Sequence, residues 1–175
     1  MVAIFIFVRV LYSRENNMVI GVLKLLKLPQ RLIYKAVGKS ATQYNMFSTK
    51  TGEFLGVMRT KKVLLKNSDF YPITNPVYSL YINKLEAFKK GEGVGSDFIN
   101  FAKYLSRECG AGGRLHVVAY NPKEPYASPQ KFYRKLGFTC KKTEDTKIID
   151  EAIQNNTKIP FKLNFGIIMY LEKFK

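Results

Sequence analysis

Residues 77–109 constrain the fold most, because three differently patterned segments follow one another there with no linker between them. Residues 77–85 (VYSLYINKL) are rich in β-branched and aromatic side chains and read as a strand. Residues 89–95 (KKGEGVG) form a glycine-rich turn. In residues 96–109, Phe98, Ile99, Ala102, Leu105 and Cys109 fall on a stripe of helical period, and Gly110 stops it. A glycine-rich turn between a strand and a helix start suits an anion. The glycines allow tight backbone geometry, the first N–H groups of the helix point outward, and the helix dipole favours negative charge there. Lys89 and Lys90 add positive charge beside it. No Gly-Lys-Ser/Thr ends the turn, and its glycine spacing is not that of a dinucleotide-binding fingerprint. A plain strand-to-helix connection is the alternative.

The flanking sequence extends this pattern. Residues 114–120 (RLHVVAY) read as a second buried strand. Ser128 and Pro129 then open a short helix over 130–136, with Ser128 as N-cap and Gly137 as its end. Residues 139–147 are expected to be extended, followed by an Asn-rich connection at 155–158 and a last strand over 165–171 (FGIIMYL as its apolar part). Toward the N-terminus, residues 2–10 read as a first strand, too short in its apolar run to cross a membrane as a helix, and Met18 offers a second start. Residues 18–36 carry Lys24, Lys27, Arg31 and Lys35 three and four apart among leucines. This predicts two short helices broken at Pro29, with a basic membrane-surface helix as the alternative. The TKTG turn at 49–52 makes a hairpin of residues 41–48 and 53–63, and residues 66–76 form a loop.

At 175 residues and 46% apolar, the chain is long enough to bury a core and is expected to be one domain, with parts at 1–40, 41–95 and 96–175. Its 29 Lys and Arg against 13 Asp and Glu give a net charge of +16, which attracts phosphate groups in any form. Cys109 and Cys140 are far apart and match neither a disulfide framework nor a zinc spacing, so a reducing, cytoplasmic setting is expected. With His116 as the one histidine, no metal site is expected. His116, mid-strand between apolar neighbours, and both cysteines read as core side chains.

Two motifs, in order and about 40 residues apart, resemble those of the GNAT superfamily of N-acetyltransferases. Lys90-x-x-Gly93-x-Gly95 is similar to its pyrophosphate-binding Arg/Gln-x-x-Gly-x-Gly/Ala motif, with Lys in the first place. Residues 132–138 (FYRKLGF) resemble the motif that carries a tyrosine near the coenzyme sulfur. The chain departs from the pattern in two respects. Its strand-to-loop junction is about two residues shorter than usual. Tyr126 stands where an asparagine usually precedes the tyrosine, with Asn121 upstream. The resemblance implies an α+β fold: a mixed, mostly antiparallel sheet with helices on both faces, splayed between two central parallel strands, the final strand pairing next to the one after FYRKLGF. It implies acetyl-coenzyme A as cosubstrate and a primary amine as acceptor.

The same resemblance implies the site residues. The backbone of Gly91, Glu92, Gly93, Val94, Gly95 and Ser96, with Lys90, would hold the pyrophosphate. Leu85, Ala87 and Phe88 would line the pantetheine arm, with one backbone N–H of that strand polarising the thioester carbonyl. Tyr133 would be the general acid to the leaving thiolate or a hydrogen-bond donor to its sulfur; the alternative is a core aromatic beside Phe132. The attacking amine must lose a proton, and Glu86, through water, is the candidate base; the alternative is a solvated strand-edge charge. Clustered carboxylates for a polycationic acceptor are scarce, so a small metabolite amine or a protein amine is expected, acting on a monomer or homodimer with no membrane span. The second function class is an acetyl-coenzyme-A-binding or basic RNA-binding module without transfer activity. Nucleic acid is the less favoured partner, since the aromatics form no linear RNA-binding motif.

Overall fold

The computed structural model describes residues 10–13, 18–22, 31–37, 41–66, 75–121, 128–164 and 166–171. Its contacts divide into two compact units, one of residues 1–61 and 83–98, the other of residues 62–82 and 99–175. Among the described residues, no helix is long and apolar enough to cross a membrane.

The first unit is a meander. Strands β1 (Val10–Ser13), β2 (Met18–Val22), β3 (Arg31–Val37), β4 (Thr42–Ser48) and β5 (Phe54–Leu65) pair in chain order, each antiparallel to the last. The expected hairpin of β4 and β5 is present. The Ser48 and Gly52 N–H groups bond back across the turn to the Glu53 and Ser48 carbonyls at 2.9 Å. Register sets the faces: Ile33 opposes Met46, which opposes Gly56, and Tyr44 opposes Met58, so these share one buried face. Residues 55–58 of β5 are buried in succession, as happens where both faces of a strand are covered. The end of β6 (Val77–Ala87) runs beside β5, with the Phe88 N–H on the Leu55 carbonyl at 2.9 Å.

Two expectations change here. The strand expected over 2–10 is β1 at Val10–Ser13, residues 2–9 lying outside the described residues. The two helices expected over 18–36 are instead β2 and β3, with residues 23–30 outside the described set. The reason is arithmetic. Arg31 and Lys35 are four apart, and four is even, so the spacing that marks one helix face also marks one strand face. β-branched Val19, Ile20 and Val22, and the fit of Ile33 opposite Met46, decide for strand.

The second unit holds the start of β6, then β7 (Leu115–Ala119), β8 (Thr139–Cys140) and β9 (Ile167–Leu171), in the order β6-β7-β9-β8. β6 and β7 are parallel through Leu80↔Leu115, Tyr81↔His116 and Ile82↔Val117, where the ladder ends. β9 is antiparallel to both β7 and β8, as expected for the last strand. A parallel pair needs a long crossover, and α1 (Val94–Glu108) supplies it. Among the described residues the sheet is thus mixed, with the parallel pair β6–β7 beside antiparallel ones: the α+β architecture that the two motifs imply.

Two further expectations change in this unit. Residues 139–147 are not one extended run: β8 has two residues, and α3 (Thr143–Gln154) follows, with Glu144 and Asp145 in its first turn and Ile149 and Ala152 buried. Helix α2 (Pro129–Lys135) fastens it. Arg134 grips Asp150 with two bonds of 2.7 and 3.0 Å, and Lys131 donates to the Ala152 carbonyl at 2.8 Å and to that of Thr157. Ser128 does not cap α2 through its side chain; its carbonyl accepts the Lys131 N–H instead. A short α4 (Phe161–Asn164) precedes β9.

Candidate functional site

In the first unit, the chain leaves β6 through residues 88–93 and enters α1 at Val94. Gly91 and Gly93 have φ of +83° and +78°, which an L side chain adopts only with strain, and nothing lies within 4 Å of where a Cβ would stand on either. The loop is therefore bare on the side those glycines present. The helix begins with the Asp97 N–H on the Gly93 carbonyl at 2.9 Å. Residues 90 and 91 form a hydrogen-bonded turn, and among the described residues the N–H groups of Gly93, Val94, Gly95 and Ser96 donate to no acceptor. Four successive donors at the positive end of a helix are an anion cradle.

The cradle is held from outside. Arg31 of β3 donates from Nη2 to the Glu92 carbonyl at 2.7 Å and from Nε to Asp97 Oδ2 at 3.2 Å. The second contact offsets the one carboxylate in the first turn of α1, which would otherwise repel a phosphate. Lys89 is paired with Glu53 at 3.0 Å, Lys90 and Glu92 are exposed, and the Val94 side chain is buried.

On the strand before the loop, Leu85, Glu86 and Ala87 are half-buried and Phe88 is exposed. Because the Phe88 N–H bonds to β5, and N–H groups alternate sides along a strand, those of Leu85 and Ala87 point away from β5. The Glu86 carboxylate is held at 2.9 Å by the Lys84 ammonium.

In the second unit, Tyr133 of α2 is 6% exposed, its ring edge-on to Phe132 and Phe138. Burial, with Tyr81 nearby, raises the phenol above its ordinary range and holds it protonated. His116 stacks on Tyr81 with centroids 4.8 Å apart, and its Nδ1 lies 2.8 Å from the buried Ser79 hydroxyl. Burial lowers its pKa to about 4. Cys140 is buried and Cys109 half-buried.

The neutral His116 makes stability depend on pH. Its folded pKa lies below the ordinary 6.5, so the unfolded chain takes up this proton first. Stability from this group is complete above about pH 6.5, falls by up to about 3 kcal/mol as pH drops to about 4, and is flat below. Urea unfolding at three pH values, for the wild type and His116→Gln, should give curves that converge on acidification. Parallel curves would refute it.

No protein-family description matches the sequence, and no curated protein matches it. Solved structures do. One is the KacTA–DNA complex, at 21% identity over 68% of this chain and 76% of that one, TM-score 0.44. A second is the Bacillus subtilis N-acetyltransferase YlbP in complex with coenzyme A, at 14% identity over 74% and 66%, TM-score 0.44. A third is Arabidopsis thaliana NAA60 in complex with a bisubstrate analogue, at 20% identity over 60% and 65%, TM-score 0.43.

Of the residues predicted from sequence, the first unit brings together Leu85 to Ser96, while Tyr133 lies in the second unit. Arg31 was missed. It lies 61 and 66 residues from its two partners, and nothing in its local sequence distinguishes it from the other cations nearby.

Proposed function

We propose that this protein is an acetyl-coenzyme-A-dependent N-acetyltransferase in which a primary amine attacks the thioester directly within a ternary complex. The observation that carries the reading is the row of uncommitted N–H groups at residues 93–96, on a loop whose glycines leave open space. These donors suit the two phosphates of a pyrophosphate, with Lys90 adding charge. The N–H of Ala87 or Leu85, aimed away from β5, polarises the thioester carbonyl. Glu86, through water, takes the proton that the attacking ammonium must lose, and Lys84 fixes its carboxylate. As nitrogen bonds to the carbonyl carbon and the C–S bond breaks, the departing thiolate calls for a hydrogen-bond donor, the role that the motif resemblance gives to Tyr133. A thiol's ordinary pKa is about 8.5, below that of a buried phenol. Full proton transfer from Tyr133 is therefore uphill, and its role is to donate a hydrogen bond to the thiolate.

The test is the thermal midpoint with and without acetyl-coenzyme A. Ligand at about 100 times its dissociation constant stabilises by about 2.7 kcal/mol, which at this chain length is a rise of roughly 5 to 10 °C. Gly93→Asp, which puts bulk and negative charge in the cradle, should abolish the rise while the protein still melts cooperatively. An equal rise in both proteins would remove the loop from the site, and no rise in either would remove the cosubstrate. Thiol release with a panel of amines then identifies the acceptor.

A further inference from the structure

The face of the first unit's sheet opposite Ile33, Met46 and Met58 carries a row of aromatic rings. Tyr34 of β3 is edge-on to Phe47 of β4 at 5.2 Å between centroids. Phe47 meets Phe54 of β5 at 5.1 Å, and Phe54 meets Phe88, just beyond β6, also at 5.1 Å. The two rings at the far end are open to solvent, Phe54 at 41% and Phe88 at 50%. These four residues are scattered over more than fifty positions of sequence, and the meander assembles them. Contiguous exposed aromatics on a sheet face mark a binding surface rather than a packing remnant.

Charge says what the surface fits. In this unit Glu53, Glu86 and Asp97 are each taken up by Lys89, Lys84 and Arg31, which leaves Glu92, exposed on the loop, as the remaining described carboxylate. Lys50, in the turn leading to Phe54, and Arg59 and Lys61 of β5 are exposed and form no ion pair among the described residues. Arg59 opposes Gln43, two and four residues before Asn45 and Phe47, so it lies on the aromatic face; its Nε donates to Gln43 Oε1 at 2.7 Å. A second copy of a chain at +16 is repelled from such a face, whereas a polyanion with flat apolar groups is attracted to it.

We propose that this face binds a single-stranded polynucleotide, with bases stacked on Phe54 and Phe88 and phosphates met by Lys50, Arg59 and Lys61. Sheet faces with exposed aromatics stack unpaired bases in this way, and neighbouring cations follow the backbone. The surface shares Phe88 with the strand end expected to line the pantetheine arm, and its other residues lie outside the acetyl-transfer site.

The test is fluorescence anisotropy of a labelled oligouridylate of about 12 nucleotides with the full chain, at roughly 50 and 200 mM salt. The wild type should bind, and more weakly at high salt. Phe54→Ala should weaken binding by about tenfold or more at both salts without changing the salt slope. Lys50→Gln with Arg59→Gln should instead flatten the slope, by about 0.7 per charge. Phe54→Leu, which keeps an apolar side chain but no ring, guards against misfolding and should behave as the alanine variant does. Retention of the acetyl-coenzyme A thermal shift by both Phe54 variants would show the two sites to be separate. Absence of binding at the lower salt overturns the proposal. So does binding indifferent to both Phe54 substitutions, equal competition by duplex RNA, or a concentration-dependent dimer that Phe54→Ala abolishes.

Discussion

Tyr133→Phe should lower kcat by about 10²- to 10³-fold, the usual loss when one preorganised hydrogen-bond donor to developing negative charge is removed. It should leave KM for acetyl-coenzyme A unchanged, because the thioester sulfur carries no charge to stabilise before the C–S bond breaks. The shape of the pH–rate profile should not change. A phenol that burial keeps protonated does not titrate in the working range, so its removal takes away a donor and no titrating group. The ring's edge contacts with Phe132 and Phe138 survive in phenylalanine, so the midpoint of thermal unfolding should stay near the wild type. Glu86→Gln is the contrasting variant. It should lower kcat by about 10²-fold or more and change the pH profile, since it deletes a base. Unchanged turnover and profile in Tyr133→Phe would end the sulfur-donor role, and full rate in Glu86→Gln at low pH would end the base role.

What could be read from the sequence was local and what could not was long-range. The hairpin at 49–52, strand β6, the glycine turn and α1 were legible because each is written in adjacent residues: turn chemistry, β-branched runs, a helical stripe and its stop. Strands β2 and β3 were misread where helix and strand spacing coincide, at Arg31 and Lys35, and where the deciding information is the partner strand. Helix α3 was legible and overlooked. Its acidic first turn, then Ile149 and Ala152 three apart, is a helix signature that the expectation of a long strand after FYRKLGF obscured. In the site, the loop's open N–H groups follow from its glycines. The clamp of Arg31 on Glu92 and Asp97 does not, because it exists only after β3 has been laid beside the rest of its sheet. The aromatic row is of the same kind: Tyr34, Phe47, Phe54 and Phe88 have no common motif until strand order aligns them.

Gly56→Ala should destabilise the fold, and the sign of that change is informative. Within a strand, glycine to alanine is ordinarily favourable by about 0.5 to 1 kcal/mol, since the unfolded chain loses freedom. At Gly56 a Cβ would stand 2.4 Å from the Glu86 carbonyl oxygen, 3.1 Å from Phe98 Cε2 and 3.2 Å from Ala87 Cα. Two of these three are backbone, and the ring of Phe98 is fully buried, so none can swing aside. Relief requires the end of β6 to move off β5, against the Phe88 N–H bond to Leu55. Overpacking of this kind costs about 1 to 3 kcal/mol, a fall in midpoint of roughly 2 to 4 °C for each. Urea unfolding should show a lower midpoint at an unchanged m-value. The displaced segment leads directly into the anion loop, so the acetyl-coenzyme A shift should shrink in the same variant, although position 56 touches no phosphate. A variant as stable as the wild type would mean that β5 and β6 do not approach so closely. One that is less stable yet keeps the full ligand shift would mean that the loop holds its shape without the end of β6.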